Sequence, residues 1–195
     1  MDITLSIPDW VARELSHYPE FFLTHEDRMR MIIHFSKLNF EYGTGGPFAA
    51  GVFEQNTGKL ISAGVNIVVP SNCSSAHAEI MALSIAQKKL ETFDLGGPGI
   101  PSHGLVVNWR PCAMCYGAVL WSGVRSLVIA GSGKELEKIT GFDEGPLHQD
   151  CKEELKRRGI NVTDNVLSDD ACEVFRAFTE NNGFVYNPCR ENHLK

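Results

Sequence analysis

Residues 25–40, HEDRMRMIIHFSKLNF, put acids first and then apolar residues at helical spacing. That predicts a helix from about His25 to Phe40. The next apolar run, PFAAGVFEQNTGKLISAGVNIVV, is broken at Asn56, Thr57 and Gly58 and reads as two strands around a turn. In SSAHAEIMALSIAQKKL, Ile80, Leu83 and Leu90 recur at helical spacing behind Ser74 and Ser75, two good capping residues. A helix is expected from Ser75 to about Phe93. DLGGPGIPSHG reads as a loop and GLVVNW as a short apolar strand. PCAMCYGAVLW begins with proline, which fits the first position of a helix. RSLVIAG resembles a strand buried on both faces, QDCKEELKRRG an exposed helix, INVTDNV a fifth strand, and SDDACEVFRAFTEN a helix with acids at its start.

The order is a helix, a hairpin, then alternating helix and strand. It implies an α/β fold with three α/β/α layers around a central mixed sheet of about five strands. Glycine-rich joints at 43–46, 96–99 and 131–133 read as turns, and no linker divides the chain. The 195 residues fall below the size at which single cores split, so one domain over 1–195 is expected, with 1–24 as an irregular lead-in.

Composition narrows the function. The chain is 43% hydrophobic and 22% charged, ordinary for a globular protein. Its net charge of −6 lacks the broad electrostatic footprint of a nucleic-acid binder and gives no support to a membrane-surface role. No window approaches the roughly 18 uninterrupted apolar residues of a membrane helix. MDITLSIPDW lacks a basic segment followed by a long apolar stretch, so it does not fit a secretory leader, and a cytoplasmic protein is expected. Of the six cysteines, only Cys112 and Cys115 form a close pair. Cys73, Cys151, Cys172 and Cys189 are expected to be reduced thiols.

The chemistry gathers at two predicted helix starts. Cys112 and Cys115, three apart, share a helix face, and the positive end of the helix dipole favours their thiolates. His77 sits at the other start. A Cys/Cys/His set suits zinc. Three protein ligands leave a position open for water, whose pKa an open zinc site lowers to about 7. Glu79 is two residues from His77, so it does not share that residue's helix face. It can carry protons for such a water without being a ligand.

The joint pattern H-A-E and P-C-A-M-C resembles the cytidine-deaminase-like zinc deaminases. Within that superfamily the chain is most similar to the guanine deaminases of bacterial type, from about Arg28 to Tyr186. GGPFAAGVF, the GVN ending the second strand, CYGAVLWSGV and GFDEGP carry the narrower likeness. The resemblance implies zinc on His77, Cys112 and Cys115, with Glu79 as the catalytic proton carrier. It implies Asn66 on the base edge and Phe48 against the base. It implies Asp143 or Glu144, with Glu144 favoured, reading the guanine N–H groups or shuttling the second proton. The resemblance implies that Tyr186, in a tail over 183–195, helps close the pocket, either within its own chain or, as in some relatives, across a dimer interface. The family pattern often has glutamate before P-C-x-x-C, where this chain has Arg110.

The expected activity is hydrolytic deamination of a free nucleobase, guanine to xanthine and ammonia, by a homodimer. The alternatives are guanosine, cytosine-type compounds or ammeline as substrate, a transfer-RNA adenosine deaminase, and a non-catalytic zinc-stabilised binding module. The last requires a fourth protein ligand such as Cys73.

Overall fold

The structure is a computed structural model that describes residues 3–146 and 149–187; Cys189 and the 188–195 part of the tail lie outside that range. The apolar runs form β1 (Ala49–Glu54), β2 (Leu60–Val65), β3 (His103–Val107), β4 (Ser126–Ile129) and β5 (Asn161–Thr163). They join in one sheet of order β2-β1-β3-β4-β5. β1 runs antiparallel to β2 and β3, while β3, β4 and β5 are parallel. This is the mixed five-stranded sheet that the hydrophobic pattern predicts.

The helices are α1 (Asp9–Leu15), α2 (His25–Glu41), α3 (Val68–Ser71), α4 (Ala78–Lys89), α5 (Ala113–Ser122), α6 (Glu135–Thr140), α7 (Cys151–Arg157) and α8 (Ser168–Glu180). Successive strand residues point to opposite faces of a sheet, and the core divides accordingly. Ala49, Val65, Val106 and Val128 pack with residues of α1, α2, α6 and α8. Ala50, Leu105, Val107 and Leu127 pack with residues of α4, α5 and α7. The three layers follow from that alternation.

Several boundaries differ from expectation. The 1–24 lead-in is not irregular throughout: α1 buries Trp10 and Val11, and Phe21 bridges to Lys59. α3 and α6, of four and six residues, are too short to show a period. α4 begins at Ala78 rather than Ser75, and α5 begins at Ala113, which leaves Pro111 ahead of the helix. By contrast, α2 starts where its acids indicate, capped by Thr24, whose hydroxyl accepts from the Asp27 amide at 3.0 Å.

Register gathers the site. Ala49 pairs with Val65, and Ala50 with Val107, so the start of β1 meets the ends of β2 and β3. Phe48, Asn66 and the 108–112 segment leave the sheet at that shared edge. α4 is brought close to the same edge by Gly64: a Cβ there would lie 2.4 Å from the Ala82 nitrogen and 2.5 Å from the Ala78 oxygen. Only glycine lets the helix lie that close to β2. No helix among the described residues is long and apolar enough to cross a membrane.

Candidate active site

Both shifted helix starts have one cause. The N-cap of α4 is His77 and that of α5 is Cys112, each with extended backbone and no side-chain capping bond. Their side chains turn away from the helix and toward each other. Cys112 Sγ lies 3.6 Å from His77 Nδ1. With Cys115, in the first turn of α5, the three ligand atoms lie within 4.8 Å of one another. Two ligands on tetrahedral zinc, with bonds of about 2.0–2.3 Å, stand about 3.5–3.8 Å apart, so the set fits zinc. Among the described residues no fourth side chain joins the group. Cys73, the one that a closed site requires, instead contacts the Ser75 hydroxyl at 3.2 Å.

A hydrogen bond from Cys115, joined by one from His77, outweighs burial and brings Cys112 down to about 4. Cys115, the donor, is pushed up by that same bond and by burial. Burial disfavours the charged form of His77, but its bond to Cys112 and the nearby Glu79 and Glu144 raise it on balance.

Glu79 lies in the first turn of α4 and is 6% exposed. Burial first, then the Cys112 charge, raises its pKa, against the pull of His77. Glu144 is also buried and is raised to about 8 by burial and by the charges of Cys112 and Glu79, with His77 and Arg110 opposing. Its carbonyl accepts from the Ala113 amide at 3.0 Å, tying its loop to the start of α5. Asp143 lines the same cavity but is exposed, with its carboxylate accepting from the Gly145 amide. The buried carboxylate of the two is Glu144.

These groups share a cavity of about 270 Å³ with Phe48, Asn66 and Tyr186. Asn66 follows β2 and is buried; its Oδ1 accepts from the Val68 amide, and its Nδ2 donates to Tyr186 Oη at 2.5 Å. The Tyr186 ring lies 6.2 Å from His77 and 5.2 Å from Phe142, centre to centre, and burial pushes its phenol far up. Asn187 ties this segment down, donating to the Gly141 carbonyl and accepting from the Asp143 amide. Phe48 precedes β1 and meets Phe142 edge-on at 5.1 Å.

All nine residues singled out from the sequence line this cavity or, for Cys115, lie against it. Sequence reasoning missed Trp109 and Phe142, two buried aromatics in the wall. Each adjoins a motif already noted, in NWRPCAMC and GFDEGP, and that adjacency was the available signal. Arg110 lines the cavity as well, and its Nη2 donates to Glu137 Oε1 on α6 at 2.8 Å. Its Nε is buried without a partner among the described residues.

Residues 23–131 match the family model of the cytidine and deoxycytidylate deaminase zinc-binding region. A solved structure of guanine deaminase from Nitrosomonas europaea is 44% identical, covers 92% of this chain and 97% of its own, and superposes with a TM-score of 0.86. Guanine deaminase from Bacillus subtilis is 28% identical over 138 residues, 71% of this chain and 83% of that protein. A tRNA-specific adenosine deaminase from Buchnera aphidicola subsp. Schizaphis graminum is 29% identical over 126 residues, 65% of this chain and 76% of that protein.

Proposed function

The chain belongs to the cytidine and deoxycytidylate deaminase zinc-binding family, and from that premise we propose that it hydrolyses guanine to xanthine and ammonia as a zinc-dependent aminohydrolase. One observation carries the chemistry: three metal-ligating atoms within 4.8 Å, with the buried Glu79 in the same cavity. When bound, zinc supplies an activated water at neutral pH.

The protein's own groups do the rest. Glu79 accepts one proton from the attacking water and passes it to the ring nitrogen, then carries the second, from the newly added hydroxyl, to the amine, which leaves as ammonia as the C–N bond breaks and the carbonyl forms. Burial favours its protonated form, which helps it take up the proton. Phe48 supports a ring face, with Phe142 set edge-on to it. Glu144 faces the N–H groups of the base, and Asn66 its polar edge. Tyr186 and the 183–187 segment cover the mouth and limit water. The similarity to two guanine deaminases supports the choice of purine.

The transfer-RNA reading has a relative in its favour, but a net charge of −6 and the acids Asp169 and Asp170 opening α8 oppose it. A cytoplasmic enzyme acting on a free base, without nucleic-acid or membrane partners, fits these features. The partner is a second copy of the chain. α5 is an apolar helix whose buried residues are Cys115, Val119 and Ser122. It leaves Trp121 85% and Met114 40% exposed, with open space above Gly117. Met114 also lines the cavity, so a second copy seated there would adjoin the site. Sedimentation should give a dimer that Trp121→Asp converts to monomer; a wild-type monomer would remove this part of the reading.

Ammonia release from guanine, guanosine, adenine, cytosine, cytidine and ammeline, with and without a zinc chelator, tests the activity. Chelator-sensitive release from guanine is expected. Release only from another member would keep the chemistry and overturn the substrate.

A further inference from the structure

Two asparagines outside the cavity spend their side chains on the segments that carry Phe48 and Asn66. Asn39, on α2, and Asn108, just after β3, are both 0% exposed. Asn39 Nδ2 donates to the Gly46 carbonyl and to the Asn66 carbonyl, each at 2.8 Å. Asn108 Oδ1 accepts from the Ala49 amide at 3.0 Å, and its Nδ2 donates to the Pro47 carbonyl at 3.0 Å. Backbone bonds close the assembly: the Phe48 amide donates to Gly46 at 2.8 Å, and the Asn66 amide donates to Phe48 at 3.0 Å. The backbone on both sides of Phe48, and the peptide of Asn66, are thus held by two buried amides.

The residue type matters. A carboxamide offers donors and an acceptor in one plane, as a peptide group does; aspartate offers acceptors only. The orientation of Asn108 is fixed by its partners, because the Ala49 N–H can only donate and the Pro47 carbonyl can only accept. Asn39 is oriented in turn by the Thr44 hydroxyl, which accepts from Trp10 Nε1 at 3.0 Å and donates to Asn39 Oδ1 at 2.8 Å. The backbone here is pressed close. At Gly45, with φ +157°, a Cβ would fall 1.8 Å from the Asn66 oxygen and 2.8 Å from Asn39 Nδ2. The network reaches from the buried Trp10 of α1 to the cavity wall without touching the metal ligands.

We propose that Asn39 and Asn108 are positioning residues for the purine, setting its plane and edge through Phe48 and Asn66. This rests on the reading of those two residues as base contacts. Buried amides that hold a wall by opposed bonds keep it within the fraction of an ångström that an oriented substrate needs.

The test is steady-state kinetics on guanine with melting temperature and zinc content measured alongside. Asn39→Asp keeps the volume but turns its donor into an acceptor facing two carbonyls. It should raise KM about tenfold, with kcat changed less and one zinc per chain retained, the pattern of binding lost equally from ground and transition states. Asn108→Asp should act in the same direction. Thr44→Val, a milder change at a half-buried site, decides the matter if the aspartates do not fold. It should raise KM about threefold, and that effect should shrink in an Asn66→Ala background if it acts through Asn66. An unchanged KM in folded variants, with only the melting temperature lowered, would make the asparagines structural and overturn the proposal. Phe48→Ala and Asn66→Ala run in parallel separate the two failures. If they too leave KM unchanged, the base-wall reading itself is wrong.

Discussion

The two halves of the cavity are built on different principles. The metal half comes from two helix starts, where His77 and Cys112 cap their helices and Glu79 and Cys115 follow within a turn. Spacings of two and three residues set its geometry. The base half draws on the lead-in to β1, the end of β2, the 141–145 loop and the 183–187 segment, up to 120 residues apart in the Asn66–Tyr186 pair. Sheet register and buried amides set its geometry. On the proposed reading the chemical step is encoded locally and recognition of the base is distributed, so the two should be separable by mutation.

The largest effect lies in the metal half. Glu79→Ala removes the proposed proton carrier and leaves the three proposed ligands. Ammonia release should fall roughly 10²–10⁴-fold, with zinc content and KM for guanine near wild type. Cys115→Ser should lose zinc together with turnover, as metal analysis of the purified variants would show. Full activity in Glu79→Ala would end the proposed mechanism.

A smaller effect is expected in the base half. Phe48→Ala removes an aromatic face worth about 1–3 kcal/mol against a base, roughly a 5- to 150-fold rise in KM. Zinc content should hold and kcat should change little. A fall in kcat at constant KM would mean that Phe48 acts on the reaction rather than on binding, and the division between halves would fail there.

The metal half was legible in the sequence because its spacing is its geometry. Even so, its helix starts were misread. Ser74, Ser75 and Pro111 carry strong terminal signals, but His77 and Cys112, the proposed metal ligands, take the cap positions, and the helices begin only after them. The sheet was legible because its apolar runs are short and bounded by turn residues. α1 was not, since its seven residues depend on packing Trp10 and Val11 into the core, a tertiary fact. Asn39 was invisible for a related reason. Inside an amphipathic helix it reads as one polar residue among others, and its partners lie 7 and 27 residues away.

Arg110 joins the halves and supports the smallest prediction. It precedes Pro111 and Cys112, lines the cavity, and pairs with Glu137 on α6, the helix that leads into the 141–145 loop. The pair is 22% and 30% exposed, so its contribution to stability is about 1 kcal/mol or less. Its charge also bears on Glu144. The guanidinium favours the carboxylate, against the burial that comes first in raising Glu144. Arg110→Gln removes the favouring charge, so Glu144 keeps its proton to higher pH. The limb of the pH–rate profile set by Glu144 should move toward alkaline pH, with zinc content unchanged. Profiles of kcat/KM for the two proteins would show it. A shift toward acid would mean that Arg110 does not act on Glu144 through its charge. An unshifted profile with lost zinc would assign Arg110 to the metal half, as part of the segment that carries Cys112.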